Sequence, residues 1–291
     1  MFCIYTEAEG FLPEDDLGLP KGKVIRPVMH LGDRKQMARS LEKELARVGH
    51  RFSGQQINEA LREANAREEA FNGELARLGD AFLENLRRND EKGYVGIGRD
   101  YVVLDPAASS DTGRMFATVR GMAYIPQVFL SHLYAGIPLD DLVDNEYWEH
   151  SSEILKASIF TAMHERLFPV RQMNFACGPD SIKFIMEDEI FRRAGKPFLH
   201  LLTDAQTNNA PFVTRAEAFE RVVARWKPRE VPLERFSFAR PSPSGAESRR
   251  WLIPWMGNAS TLGAAAAAYR GIDAVIAPTD TAESREAAER L

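Results

Sequence analysis

From residue 36 to about residue 86, apolar side chains recur at helical spacing. Leu41, Leu45 and Val48 precede a break at Phe52-Ser53-Gly54, and Ile57, Leu61, Ala64, Phe71, Leu75, Leu78, Phe82 and Leu86 follow it. The pattern predicts two helices, the second capped by Ser53. Charges between the apolar positions, among them Arg62, Glu63, Arg67, Glu68 and Glu69, read as a solvated face. Beyond residue 90 the pattern changes to short apolar runs alternating with amphipathic segments. Gly93 to Tyr101 reads as a buried strand ending in a glycine turn, Thr112 to Gly121 as a short helix, and Tyr124 to Leu130 as a second strand. Ile137 to Leu139 is a short extended piece before an acidic loop over 140–149, and Glu153 to Leu167 is a helix. A third strand then runs from Val170 to Phe175, followed by a helix from Ser181 to Ala194. Pro197 to Leu202 is a fourth strand, ending at Thr203-Asp204. The next helix begins near Thr214, where Thr214 and Glu217 have the spacing of a capping box.

This order divides the chain into an irregular segment (1–35), a helical segment (36–90), a Rossmann-like α/β domain (91–226), a proline- and arginine-bearing linker (227–249) and the start of a second α/β unit (250–291). In the last, Trp251 to Pro254 and Ile272 to Ala277 are strands joined by an alanine-rich helix, Ala259 to Tyr269, that Gly271 caps. A two-stranded unit is a poor stand-alone domain, so completion by further chain or another subunit is expected. Alternating strands and helices predict an α/β fold of parallel sheets flanked by helices. In such sheets ligands bind where the strand C-termini meet loops. Gly98-Arg99-Asp100, Cys177 to Ser181 and Asp204 to Asn209 are loops of this kind, and in one sheet they converge on one edge.

Composition narrows the chemistry. A net charge of −5 offers no general attraction to nucleic acid or an anionic membrane. No apolar run approaches the roughly 20 residues that span a bilayer, and the N-terminus lacks the order of a signal peptide. Two cysteines make no disulfide framework, so a reducing, cytoplasmic setting is expected. Gly93, Gly96 and Gly98 have the wrong spacing for a dinucleotide fingerprint, and no nucleotide-binding loop of the Walker type occurs.

The candidate chemistry centres on Phe175-Ala-Cys-Gly-Pro-Asp-Ser181, the turn between the third strand and its helix. Asp180 or Ser181 is placed to cap that helix. A thiol at a helix N-terminus sits in a partial positive charge that favours the thiolate, the form that binds metal or attacks an electrophile. A small buried cysteine in a well-made turn is the plainer alternative. Nucleophilic use of Cys177 requires a base, and none of the six histidines is paired with it in the sequence. His200, within a strand, reads as structural, and His132 as a surface residue. Arg215 is suited to a carboxylate or phosphate, because its guanidinium presents a fork of donors.

The combination of Gly98-Arg99-x-Tyr101, the cysteine turn, Lys196-Pro197 and Val213-Thr-Arg-Ala-Glu-Ala-Phe219 resembles the large acyl-CoA dehydratase activase-related proteins, which are similar to the 2-hydroxyacyl-CoA dehydratase and benzoyl-CoA reductase family. The resemblance spans roughly residues 36 to 285, a middle portion of the large family members, and Trp251-Leu-Ile-Pro-Trp-Met256 is similar to the start of their next Rossmann-like unit. It implies a 4Fe-4S iron–sulfur protein working with an ATP-hydrolysing activase that drives low-potential electron transfer to a CoA thioester. It implies Cys177 as a cluster ligand, with Arg99, Asp180, Ser181, Asp204, Thr214, Arg215 and Glu217 lining or supporting the site. The chain departs from the family pattern in three places. Asp100 stands where a proline is expected, the loop Asp204-Ala-Gln-Thr-Asn-Asn-Ala210 lacks an acidic–histidine pair and a glycine, and the cysteines expected on either side are missing. Since four thiolates are the usual complement, a companion cysteine-containing subunit or a second copy of the chain is expected to supply the rest. The alternative is a cluster-free α/β binding or interaction module without catalysis of its own.

Overall fold

A computed structural model of the 291-residue chain describes residues 17–20, 23–29, 32–139, 148–174, 178–203, 210–236, 251–253 and 258–276. It divides into two units, Met1–Ala239 and Arg240–Leu291.

The first unit opens with helix α1 (Arg34–Arg47), started by Asp33, whose carboxylate accepts the Gln36 amide at 2.9 Å. Helix α2 (Gly54–Asn89) is capped by Ser53 as expected, and Gln56 extends the cap to a capping box. The Ser53 hydroxyl accepts from the Gln56 amide at 3.2 Å, and the Gln56 side chain accepts from the Ser53 amide at 2.9 Å. At 36 residues α2 is about 54 Å long. It packs on α1 near its start and on the helical turn Gln127–Leu130 near its end. There Gly79 lets the backbones touch, because a Cβ on it overlaps the Phe129 carbonyl oxygen.

Four strands follow: β1 (Gly93–Ile97), β2 (Ala123–Pro126), β3 (Leu167–Asn174) and β4 (Leu199–Thr203), all parallel, in the order β2-β1-β3-β4. Register runs straight across the sheet, with Gly93 level with Ala123 and Leu167, and Val170 level with Leu199. Helices α3 (Glu149–Met163), α4 (Gly178–Ala194) and α5 (Ala210–Arg225) complete the layers. Successive side chains of a strand point to opposite faces, and two apolar clusters result. Val95, Ile97 and Leu167 pack with Leu86 of α2, Leu155 of α3 and Phe191 of α4. Tyr94, Phe168, Val170 and Leu201 pack on the other face with Phe116 and with Phe212, Phe219 and Val223 of α5. β1 is buried throughout, which is why its residues are small or apolar without alternation. The first unit is thus an α/β layered fold on a parallel sheet.

Several boundaries differ from the sequence expectation. The second strand stops at Pro126 and the chain turns helical at Gln127, since a proline has no amide to extend the ladder. Helix α3 ends at Met163, and Leu167 opens β3 instead of closing the helix. Helix α4 starts at Gly178, which puts Asp180 and Ser181 inside its first turn and not in the capping position. Helix α5 starts at Ala210, so Thr214 lies within it and its hydroxyl donates back to the Ala210 carbonyl at 3.3 Å; the expected Thr214–Glu217 capping box does not form. Val231 and Phe236, in the stretch read as linker, are buried in the first apolar cluster.

In the second unit β5 (Trp251–Ile253) and β6 (Ala274–Ile276) run parallel, joined by α6 (Asn258–Tyr269), a single βαβ unit. Gly271, at φ +74°, takes the left-handed conformation that ends the helix. Trp251 and Leu252 are exposed. No helix among the described residues is long and apolar enough to cross a membrane.

Candidate functional site

The strand order makes β1 and β3 the point at which connections leave the sheet in opposite directions. From β1 the chain goes outward to β2, and from there it crosses back to β3 on the other side. Such a divergence leaves a crevice at the C-terminal ends of the two strands, where open α/β sheets bind their ligands. Gly98 and Arg99 follow β1 there, and α4 follows β3. Gly98 lets the strands close up, since a Cβ on it comes within 2.5 Å of the Gln172 carbonyl oxygen. Its amide donates to the buried side chain of Gln127 at 3.2 Å.

Beneath the first half of α4 the apolar layer gives way to charge. Arg99, Arg171, Asp180 and Glu187 are all buried, none more than 5% exposed. Arg99 donates to Asp180 Oδ1 through Nε at 3.0 Å, and its Nη2 lies 2.9 Å from the same oxygen as an ion pair. Arg171, in β3, donates to Glu187 through Nε at 2.5 Å and to the Gln172 carbonyl through Nη1 at 2.6 Å; its Nη2 lies 3.8 Å from Asp180. Two cations and two carboxylates thus balance, which is the condition for keeping charge out of water. Burial pushes the Glu187 carboxyl above its usual range, opposed by Arg171.

Asp180, Phe184 and Glu187 are four and three residues apart and share one face of α4. That face meets a row of the sheet in which Ile97, Arg171 and His200 are level on three neighbouring strands. His200 stacks on Phe184 at 4.2 Å, and burial, helped by the charges of Arg171 and Arg215, pushes its pKa down to about 4. On the other side of β3, Gln172 donates to the Tyr124 hydroxyl at 2.6 Å. Of the buried atoms without a hydrogen-bond partner among the described residues, four belong to these side chains: Arg171 Nη2, Glu187 Oε1, Gln172 Oε1 and His200 Nε2.

Of the residues expected at the site, Arg99 and Asp180 are brought together, and Ser181, next to Asp180 in sequence, is half-buried. Cys177 and Asp204 lie outside the described residues. The residues on α5 go elsewhere. Thr214 is exposed, Glu217 accepts from Arg120 at 3.0 Å, and Arg215 lines an open groove of about 550 Å³ with Asp188, Arg192 and Lys196. Lys196 is buried with its ammonium over the rings of Trp226 and Phe168, 4.2 and 4.6 Å from their centroids, and burial lowers its pKa to about 7. Its Nζ donates to the His164 carbonyl. His132 meets Asp80 at 2.9 Å near the surface.

Sequence reasoning missed Arg171, Gln172 and Glu187. Their signal was a cation and an amide in the middle of a mostly apolar strand, followed by an acid one heptad beyond Asp180. Among the described residues, no group of three or more His, Cys, Asp or Glu side chains is placed to hold a metal ion.

Compared with known proteins, residues 1–129 match a family model described as the CoA enzyme activase uncharacterised domain. The match takes in α1, α2, β1, Arg99 and β2. No curated protein and no solved structure matches the chain.

Proposed function

We propose that the chain, whose residues 1–129 match the CoA enzyme activase domain model, is a component of an activase-linked system acting on a CoA thioester. The observation that carries this reading is the buried Arg99–Asp180 pair at the divergence of β1 and β3. It ties the family-matched part of the chain to the first turn of α4, immediately after Cys177.

In this reading Cys177 is one ligand of a 4Fe-4S cluster, which when bound supplies one-electron chemistry at low potential. The chain holds two cysteines, so it does not complete the ligand set alone. A companion cysteine-containing subunit or a second copy contributes the remainder. ATP hydrolysis belongs to a separate activase, because no Walker loop occurs here. The chain's own residues position the site: Arg99 and Asp180 hold α4 to β1, and Arg171 and Glu187 hold it to β3. Arg215, exposed beside its groove, offers paired donors to a phosphate or carboxylate of the thioester. The setting is cytoplasmic, with no nucleic-acid or membrane partner.

Anaerobic purification, alone and together with the product of any cysteine-rich reading frame that adjoins the gene, tests the proposal by iron and sulfide content. Iron that is retained by the parent chain and lost in Cys177→Ser is expected. An iron-free chain under both conditions would overturn it in favour of the cluster-free binding module, the reading that the cysteine count favours.

A further inference from the structure

Helix α2 is anchored at both ends and bare in between. Ile57 is buried near its start, Gly79 and Leu86 near its end, and every residue from 62 to 74 is exposed. A helix solvated on all sides is expected to be polar all round. Instead, positions 57, 61, 64, 68, 71, 75, 78 and 82 advance in alternating steps of four and three and read Ile, Leu, Ala, Glu, Phe, Leu, Leu and Phe. That 3.5-residue period is the seam of a coiled coil. Phe71 is 60% exposed and Leu78 40% exposed, and both lie on it. The ion pairs within the helix, Arg62–Glu59, Arg67–Glu63 and Arg77–Glu74, join residues off the seam.

We propose that two copies of this chain pair through the seam as an antiparallel coiled coil about a two-fold axis between residues 69 and 70. Glu68 decides the direction. In a parallel pair it faces Glu68 of the second copy, two like charges in the interface. In the antiparallel pair Glu68 lies against Phe71 of the second copy, Leu61 against Leu78 and Ala64 against Leu75, each contact occurring twice, as an isologous interface requires. The flanking heptad position that follows the seam on one side holds Ala60, Arg67, Glu74 and Ala81. About the same axis, Arg67 of each copy comes opposite Glu74 of the other, and the two alanines leave the ends unobstructed. Leu61 to Leu78 is about two and a half heptads, below the three to four that sustain a coiled coil unaided, so the dimer is concentration-dependent and not permanent.

The inference is independent of iron, and the Cys177→Ser chain keeps it so by excluding a shared cluster. Sedimentation velocity of that chain across a wide concentration range is expected to show a monomer–dimer equilibrium. Phe71→Glu is expected to leave a monomer of unchanged helical content, because the side chain is exposed in the single chain. Arg67→Glu or Glu74→Arg alone is expected to weaken association roughly tenfold, and the two together to restore it. A chain monomeric at every concentration, which would assign the seam to a different protein, overturns the proposal. So does a dimer that Phe71→Glu leaves intact, or a double charge exchange that fails to rescue.

Discussion

Arg99 and Asp180 are separated by 81 residues in sequence and joined in a buried layer by a charge-assisted hydrogen bond and a second ion-pair contact to the same oxygen, with Arg171 as Asp180's second, more distant cation. A buried pair is costly to assemble and costlier to break, because removing one member leaves the other charged and dry. Arg99→Leu is therefore expected to lower stability by about 3–5 kcal/mol. Adding Asp180→Leu should recover part of that loss. Urea unfolding with an unchanged m-value measures both. A single-variant loss below about 1 kcal/mol, the range of exposed pairs, would show that the layer is wet.

Gly79 and Gly73 lie six residues apart on α2 and predict opposite outcomes for the same substitution. Gly79→Ala drives a methyl into the Phe129 carbonyl oxygen, a backbone atom that cannot swing aside, and is expected to cost about 1–3 kcal/mol. Gly73→Ala meets nothing within 4 Å and is expected to gain about 0.5–1 kcal/mol by easing helix formation. Thermal midpoints of the two variants should move in opposite directions.

His200 makes stability depend on acid. Its ordinary pKa of 6.5 falls to about 4 in the fold, so between those values the unfolded chain holds a proton that the folded chain does not. Stability is expected to fall as the pH drops from 6.5 towards 4 and to be insensitive to this group above 6.5. His200→Phe keeps a ring against Phe184 and should flatten that part of the profile. An unaltered slope would show that other groups set it, among them His164, which burial also pushes down to about 4.

How far the sequence could be read depended on whether local rules competed with burial. Ser53 announced the start of α2 because a capping hydroxyl acts on an amide only three residues away. Alternating short runs beyond residue 93 announced the α/β sheet. Thr214 misled because the capping pattern is local, whereas Phe212, four residues before Ala216, already belongs to the buried face of α5. Arg99 and Asp180 were legible as single candidates, but their union was not, since nothing in sequence measures the approach of residues on different elements. Arg171 stood in plain view inside β3. A cation in a strand covered on both faces has to find a buried anion, and that reasoning leads to Glu187.

The charges under α4 also determine where that helix may stand. A helix resting on aliphatic side chains alone can slide along a sheet by one turn, about 5.4 Å, and merely exchange one set of neighbours for another. For α4 the same slip parts Asp180 from Arg99 and Glu187 from Arg171 together, and strands four ions away from water. Its height above the strands is thereby indexed to one setting, and the opening turn of the helix, with Asp180 in it, is locked at that level.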